Sequence, residues 1–217
     1  KYIIHMKILV TLSVLTLLLV SCGWQEATED SVMSFEIPET SVEVSNSGAI
    51  TVDGVETTLS GDKLEVWDTL VDVELDMRAD YFDQVDTTLL SDYPGYKLIE
   101  TVPSLDTPVC TMQTKQLEFA SSEFEDVTFI VISNDTPFAL QRFCHANGID
   151  NMKVFSDART REFGTQNSLF MSEYGLLTRS IMIVDADNVI QYIEYANEVT
   201  SELDLMNALA FLKNVTQ

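Results

Sequence analysis

Three cysteines, Cys22, Cys110 and Cys144, are the reactive side chains of this 217-residue chain. Cys110 follows Thr107-Pro108-Val109, where a strand-end loop runs into the start of a helix. Free backbone N–H groups and the helix dipole at such a junction favour a thiolate over a thiol. The thiolate is the nucleophilic form, so Cys110 is a candidate for redox chemistry. By position alone, a small buried core cysteine is an equal reading. Other chemistries lack their residues. There is no Cys-x-x-Cys, so the chain is not a thioredoxin-type dithiol oxidoreductase. No Cys/His cluster has metal-ligand spacing, and no Gly-rich phosphate loop occurs. His145, beside Cys144, reads as a surface histidine more readily than as a tuner of that thiol.

The elements that must position Cys110 alternate between strand and helix. Tyr96 to Val102 reads as a short strand, and a loop with Pro103 and Pro108 follows. Thr111 to Phe124 has helical spacing, with Leu117, Ala120 and Phe124 on one side. Val127 to Ser133 is apolar and β-branched, as in a buried parallel strand. Pro137 suits the first turn of a helix that ends at Asn147-Gly148. Ser180–Val184 and Val189–Tyr195 form a hairpin, and a last helix starts near Ser201, where Ser201 and Asp204 resemble a capping box. Upstream, Ile50–Val52 and Val55–Leu59 flank Asp53-Gly54, a hairpin signal. Val71, Val73, Leu75 and Met77 alternate with acids, predicting a strand with one buried face. Alternating strands and helices imply an α/β sandwich.

The amino-terminal region is organised differently. Ile8 to Val20 is an uncharged run of thirteen residues, too short for a membrane span, which needs about 18, and of signal-peptide size. Met6-Lys7 looks like a natural start, which would make Lys1 to His5 an extension. Leu19-Val20-Ser21-Cys22 resembles the bacterial lipobox, whose cysteine carries lipid as the mature N-terminus. Residues 1–21 are therefore expected to be a lipoprotein signal peptide. Residues 22–47, rich in Glu, Ser and Thr, are expected to be an acidic flexible tether, and 48–217 the domain. Such a lipid on Cys22 anchors a soluble domain to a bacterial membrane, on the periplasmic side or at the cell surface. Gly23 in place of Asp is compatible with delivery to an outer membrane. The chain has 12 basic and 35 acidic residues, a net charge of −23. Without Lys1 and Lys7 the mature form carries −25, which argues against nucleic acid or anionic lipid as a partner.

The residues around Cys110 sharpen the reading. Pro103-Ser-Leu-Asp-Thr107-Pro-Val-Cys110 matches Pro-x3-Thr-x2-Cys, and the run VPSLDTPVC resembles the thiol peroxidase subfamily of peroxiredoxins. Thr136-Pro-Phe-Ala-Leu-Gln-Arg-Phe-Cys144 resembles that subfamily's resolving-cysteine helix, and Leu177-Thr-Arg179-Ser-Ile-Met-Ile-Val-Asp185 also aligns. The similarity spans roughly residues 49 to 217. It implies a thioredoxin-like (peroxiredoxin) α/β fold: a central mixed β-sheet flanked by helices, with an N-terminal β-hairpin. It implies that Cys110 attacks a hydroperoxide and becomes a sulfenic acid. Thr107 would bond the thiolate or the peroxide, Pro103 would shape the loop, and Arg179 would stabilise the developing charge. Cys144 would resolve the sulfenic acid to an intrachain disulfide, as in atypical two-cysteine peroxiredoxins. The competing reading of Cys144 is half of a permanent structural disulfide. A thioredoxin-like reductant reopens the bond, no cofactor is needed, and a homodimer is a candidate assembly.

Some features depart from the family pattern. Gly61-Asp62-Lys63 is kept, but Leu64-Glu65-Val66-Trp67 follows it instead of the usual Ala-Pro-Asp-Phe-like run. The strand before the motif, Lys97-Leu98-Ile99-Glu100-Thr101, is more polar than a central strand usually is. The loop from Phe163 to Arg179 looks short. An apolar pocket is expected near Met112, Phe138 and Phe143. The divergent amino-terminal half motivates an alternative, a non-enzymatic lipoprotein that retains the fold as a binding module.

Overall fold

The structure, a computed structural model, describes residues 36–78 and 83–216. Cys22 and the proposed signal peptide lie outside the described residues. In chain order the elements are β1 (Ile50–Val52), β2 (Val55–Thr57), β3 (Leu75–Met77), β4 (Asp86–Thr88), β5 (Lys97–Val102), α1 (Pro108–Ser121), β6 (Thr128–Ser133), α2 (Pro137–Asn147), β7 (Lys153–Ser156), α3 (Glu162–Gln166), β8 (Phe170–Met171), β9 (Leu176–Leu177), β10 (Ser180–Val184), β11 (Ile190–Tyr195) and α4 (Leu205–Thr216).

The apolar run of β6 sits inside a seven-stranded sheet of order β11-β10-β5-β6-β7-β3-β4. β5, β6 and β7 run parallel, and the remaining pairings are antiparallel, so the sheet is mixed. Alternate side chains of each strand face opposite layers. Leu98, Val102, Phe129, Val131, Ile181 and Ile183 pack with residues of α1, α2 and α4. Ile99, Ile130, Ile132 and Met182 pack on the other face with Phe163 of α3 and with Leu75 and Leu90. The polar residues of β5 are reconciled with burial by local partners. Thr101 donates to the Thr178 carbonyl at 2.9 Å, and Lys97 Nζ donates to the Asp185 carbonyl at 3.1 Å.

The expected β1–β2 hairpin forms. Asp53 (φ 52°) and Gly54 (φ 76°) both take the left-handed conformation that a tight two-residue turn requires. α2 ends as read, with Gly148 left-handed and its N–H donating to the Cys144 carbonyl. Four boundaries differ from expectation. α1 begins at Pro108 rather than Thr111, because Thr107 is extended and the proline takes the first helical position. The strand expected from Val71 is reduced to Leu75–Met77, since the Asn167 side-chain amide, not a neighbouring strand, bonds the Val71 N–H and carbonyl. α4 begins at Leu205 rather than Ser201. There Asp204 Oδ1 accepts from the Asn207 N–H at 3.0 Å, the geometry of an N-cap.

The fourth difference is in the expected tether, which is bound to the domain over residues 36–47. Asn46 accepts from the Tyr195 N–H and donates to the Ile193 carbonyl, so one side chain substitutes for a strand partner on the edge of β11. Asn207 does the same for Val42, and Ile37 and Val44 pack on the core. Lys63 Nζ donates to the carbonyls of Asn46 and Gly48. The segment thus covers an edge that would otherwise expose unpaired backbone groups. Among the described residues no helix is long and apolar enough to cross a membrane.

The corrected start of α4 is testable by urea denaturation. Asp204→Ala removes a cap and is expected to cost about 1 kcal/mol, whereas Ser201→Ala should stay within about 0.5 kcal/mol of wild type.

Candidate active site

The parallel strands β5 and β6 end on the same side of the sheet, and the loop from Pro103 to Thr107 leaves β5 there. Asp135, just past β6, ties that loop down. Its carboxylate accepts from Ser104 Oγ at 2.9 Å, from the Leu105 N–H at 2.7 Å and from Ser133 Oγ at 3.0 Å. Thr111 Oγ1 donates to the Leu105 carbonyl at 2.8 Å, closing the loop against α1. Cys110 is then the third residue of α1, in the first turn, where backbone N–H groups lack helical acceptors. Its side chain is fully buried.

Arg179 reaches the sulfur from the far end of the sequence. β10 pairs antiparallel with β5 in the register Ser180↔Thr101, which places Arg179 at the level where β5 gives way to the loop before Cys110. Arg179 Nη2 donates to Cys110 Sγ at 3.0 Å. Its other nitrogens are held too: Nε donates to the Val199 carbonyl at 2.8 Å, and Nη1 to Gln113 Oε1 at 3.4 Å. The guanidinium is 2% exposed, so its direction is set by these partners and not by solvent. Val199 is positioned in turn by β1, since its N–H donates to the Thr51 carbonyl at 2.9 Å. Glu198 beside it accepts from the N–H groups of Asp53 and Gly54, and the bond from Gly54, with further bonds from Thr200 and Thr51, holds its carboxyl down at about 2. The N-terminal hairpin therefore braces the arginine.

The remaining sequence-predicted residues divide into those at the site and those away from it. Pro103 and Thr107 line a cavity of about 300 Å³ together with Val109, Arg179 and Val199. Thr107 Oγ1 donates to the Ser104 carbonyl at 3.0 Å in this structure, not to the sulfur. The expected pocket residues are elsewhere. Met112 is exposed on the outer side of α1, Phe138 is exposed beneath the Arg78 guanidinium, and Phe143 is buried in the core. The apolar wall comes instead from Val52, Met171, Tyr174 and Leu176, contributed by the hairpins β1–β2 and β8–β9. Helical spacing brought Met112 and the phenylalanines close to the cysteines in sequence, but their faces of the helices point away. Short strands such as β8 and β9 leave almost no periodic signal.

Gln113 and Glu100 were not singled out as site residues. Gln113 lies one helical turn after Cys110, and Glu100 was visible as a charge in a central strand. Glu100 is fully buried, and burial pushes its carboxyl up to about 8 against the opposing effects of Arg179 and a bond from Thr114.

Cys144 lies in the last turns of α2, partly buried on the rim of a second cavity of about 380 Å³ that His145 also lines. Cys110 and Cys144 are both free thiols. Burial pushes the Cys144 thiol up to about 11, with Glu118 and Asp150 adding in the same direction. His145 is exposed. Among the described residues no group of His, Cys, Asp and Glu side chains is arranged to hold a metal.

A buried thiol at a helix start, gripped by an arginine that itself lines an apolar cavity, is a site for thiol-based redox chemistry on a thioredoxin-like sheet. Residues 68–193 match the model of the AhpC/TSA family, and the chain belongs to that family. It is similar to the thiol peroxidase of Oceanobacillus iheyensis, with 41% identity over 124 residues, 57% of this chain and 76% of that one. The thiol peroxidase of Streptococcus pneumoniae is 32% identical over 165 residues, 76% of this chain and 98% of the relative. Among solved structures it is similar to a peroxiredoxin-like protein from Aquifex aeolicus, with a TM-score of 0.68 and 29% identity, covering 77% of this chain and 96% of that one. The thiol peroxidase from Chromobacterium violaceum shares the fold, with a TM-score of 0.66, 23% identity and coverage of 78% and 97%. The fold is the peroxiredoxin version of the thioredoxin-like α/β fold, and the chain is a peroxidase, as the motif around Cys110 implied.

Two measurements probe this geometry. Arg179→Gln removes the donor to the sulfur and is expected to lower the second-order rate constant with peroxide by about 100- to 1000-fold, read by stopped-flow fluorescence. In the Cys110→Ser protein, iodoacetamide should label Cys144 slowly at neutral pH, with the rate climbing only toward pH 11. Fast labelling at pH 7 would show that its thiol is not held protonated by its surroundings.

Proposed function

We propose that the protein is a membrane-tethered thiol peroxidase that reduces hydrogen peroxide and organic hydroperoxides in antioxidant defence. The observation that carries this reading is the 3.0 Å bond from Arg179 Nη2 to Cys110 Sγ at the start of α1. The Cys110 thiolate attacks one oxygen of the hydroperoxide, the O–O bond breaks, and Cys110 is left as a sulfenic acid. The released alkoxide or hydroxide takes up a proton and leaves as alcohol or water. Arg179 is aimed at the sulfur and lines the cavity, so it can stabilise the thiolate and then the charge on the leaving oxygen. The almost wholly apolar cavity wall supports organic hydroperoxides as the better substrates.

In the second step the Cys144 thiol attacks the sulfenic acid. A disulfide forms within one chain and water leaves. Cys144 is shielded and held protonated in the reduced structure, which supports a rearrangement of α2 before the sulfurs meet. A dithiol of the thioredoxin type then returns two electrons to the disulfide and becomes oxidised itself. With Cys22 lipidated, this donor must act outside the cytoplasm, so a membrane-linked thioredoxin-like protein fits the location. The alternative of a non-catalytic binding module is not favoured, because Cys110, Arg179 and the apolar cavity are assembled together.

Peroxide consumption by the purified chain with a thioredoxin-type dithiol tests the reading. Cys110→Ser should abolish it. Cys144→Ser should keep the first oxidation and lose turnover, and intact mass should show a Cys110–Cys144 disulfide only in wild type. Full turnover without Cys110 would sink the assignment. Membrane anchoring is checked separately, by loss of the protein from the membrane fraction in Cys22→Ala.

A further inference from the structure

Glu100 is a carboxyl group with no exposure to solvent, in the middle of the central strand β5 and facing α1. Its strand neighbours, Val131 of β6 and Ile181 of β10, carry no charge. Thr114 Oγ1 lies 3.3 Å from Glu100 Oε2. The Gln113 side-chain amide has its near atom 3.3 Å from Glu100 Oε1. The charged group acting on it is Arg179, whose Nη2 donates to Cys110 Sγ. Glu100, Gln113, Arg179 and Cys110 thus form one buried polar chain.

The Gln113 amide can be seated either way round at this position, because its oxygen and nitrogen are nearly the same size, and the two seatings answer to different protonation states of Glu100. With the amide oxygen toward Glu100, that oxygen accepts from Arg179 Nη1 at 3.4 Å, and Nε2 donates to the Leu203 carbonyl at 3.5 Å. Two acceptor oxygens then face each other at 3.3 Å unless the carboxyl carries a proton to place between them. With the amide reversed, Nε2 donates to Glu100 Oε1 and the oxygen accepts from the Leu203 N–H, both at 3.3 Å. That orientation suits an ionised carboxylate, but it turns an N–H group toward the arginine and removes the acceptor of Nη1. An ionised Glu100 also draws on the positive charge that Arg179 directs at the sulfur.

We propose that Glu100 is a positioning residue whose proton sets the orientation of the Gln113 amide, and thereby the grip of Arg179 on Cys110. The protonated acid supports peroxide reduction, and the carboxylate suppresses it. The inference rests on Cys110 being the peroxidatic thiol and adds a control on that same site. Burial keeps Glu100 in its acid form up to about pH 8, so the control acts just above neutrality.

The test compares wild type with Glu100→Gln, which keeps the shape and cannot ionise. Second-order rate constants with hydrogen peroxide and with cumene hydroperoxide are measured from pH 6 to 9.5, each normalised to its own plateau. For a single titration near 8, the wild-type rate falls about fourfold by pH 8.5 and about tenfold by pH 9. Glu100→Gln is expected to stay within about twofold of its plateau over that range. Superimposable alkaline limbs would overturn the proposal. An infrared difference spectrum of wild type minus the variant provides a reading independent of activity. It should contain a protonated-carboxyl band at pH 7 that disappears over the pH range where the rate falls, and absence of that band at pH 7 also overturns the proposal. If wild type reduces no peroxide at any pH, the peroxidase reading fails instead, and the carboxyl band alone decides the state of Glu100.

Discussion

The contact between Arg179 and Cys110 is the constraint around which the structure is organised. A guanidinium taken out of water is costly unless every donor finds a partner. Here one nitrogen bonds the Val199 carbonyl, one the Gln113 side chain and one the sulfur. The partners come from the loop after β11 and from the first turns of α1, so these two segments and the entry to β10 must meet at one point. The β1–β2 hairpin stabilises that meeting point through Thr51 and Glu198, although it contributes no reactive group. A buried polar chain of this kind is rigid when satisfied and expensive when broken. That property suits a site in which charge has to be in place before the reaction begins.

The two thiols are treated in opposite ways. Cys110 sits at the start of a helix with its sulfur accepting from Arg179 Nη2. Cys144 is held as a neutral thiol by burial and by nearby acids. This difference separates the two halves of the proposed cycle: the first thiol is poised in the folded state, and the second becomes reactive only when its surroundings change. Asp135 is common to both regions, since it holds the loop before Cys110 and directly precedes α2. Arg179 is buried beside an apolar cavity, surroundings of low polarity that strengthen its electrostatic effect. The anchored segment 36–47 serves a different purpose, closing the β11 edge on the side from which the chain leads back toward Cys22.

Much of this arrangement was legible in the sequence, and the reasons are local. The β-branched run of β6, Pro137 with Gly148 around α2, and Asp53-Gly54 each encode their own conformation, and each element formed as read. The Pro103–Cys110 motif marked the loop that carries the proposed peroxidatic thiol, because the spacing of its residues is itself the feature. The strand Lys97–Thr101 was already visible as more polar than a central strand usually is, though no one residue in it stood out.

Tertiary structure decided what depends on residues remote from one another. Met112, Phe138 and Phe143 lie away from the cavity that Arg179 lines, because sequence proximity to a cysteine does not tell which face of a helix meets the cavity. Its actual wall comes from two short hairpins with no periodic signal. The tether had the composition of a solvated segment, yet one asparagine amide binds it to the edge strand β11 and another binds it to α4, a pairing with no local code. Likewise, the grip of Arg179 on Cys110 depends on the register of β10 against β5, and the meaning of Glu100 on what it faces across the sheet. Sequence alone determined the reactive thiol, its loop and the order of the elements, since short-range conformational preference and motif spacing suffice for these. The cavity, the charge around the sulfur and the environment of the second thiol were set by packing, since burial and long-range hydrogen bonds exist only once the sheet has closed.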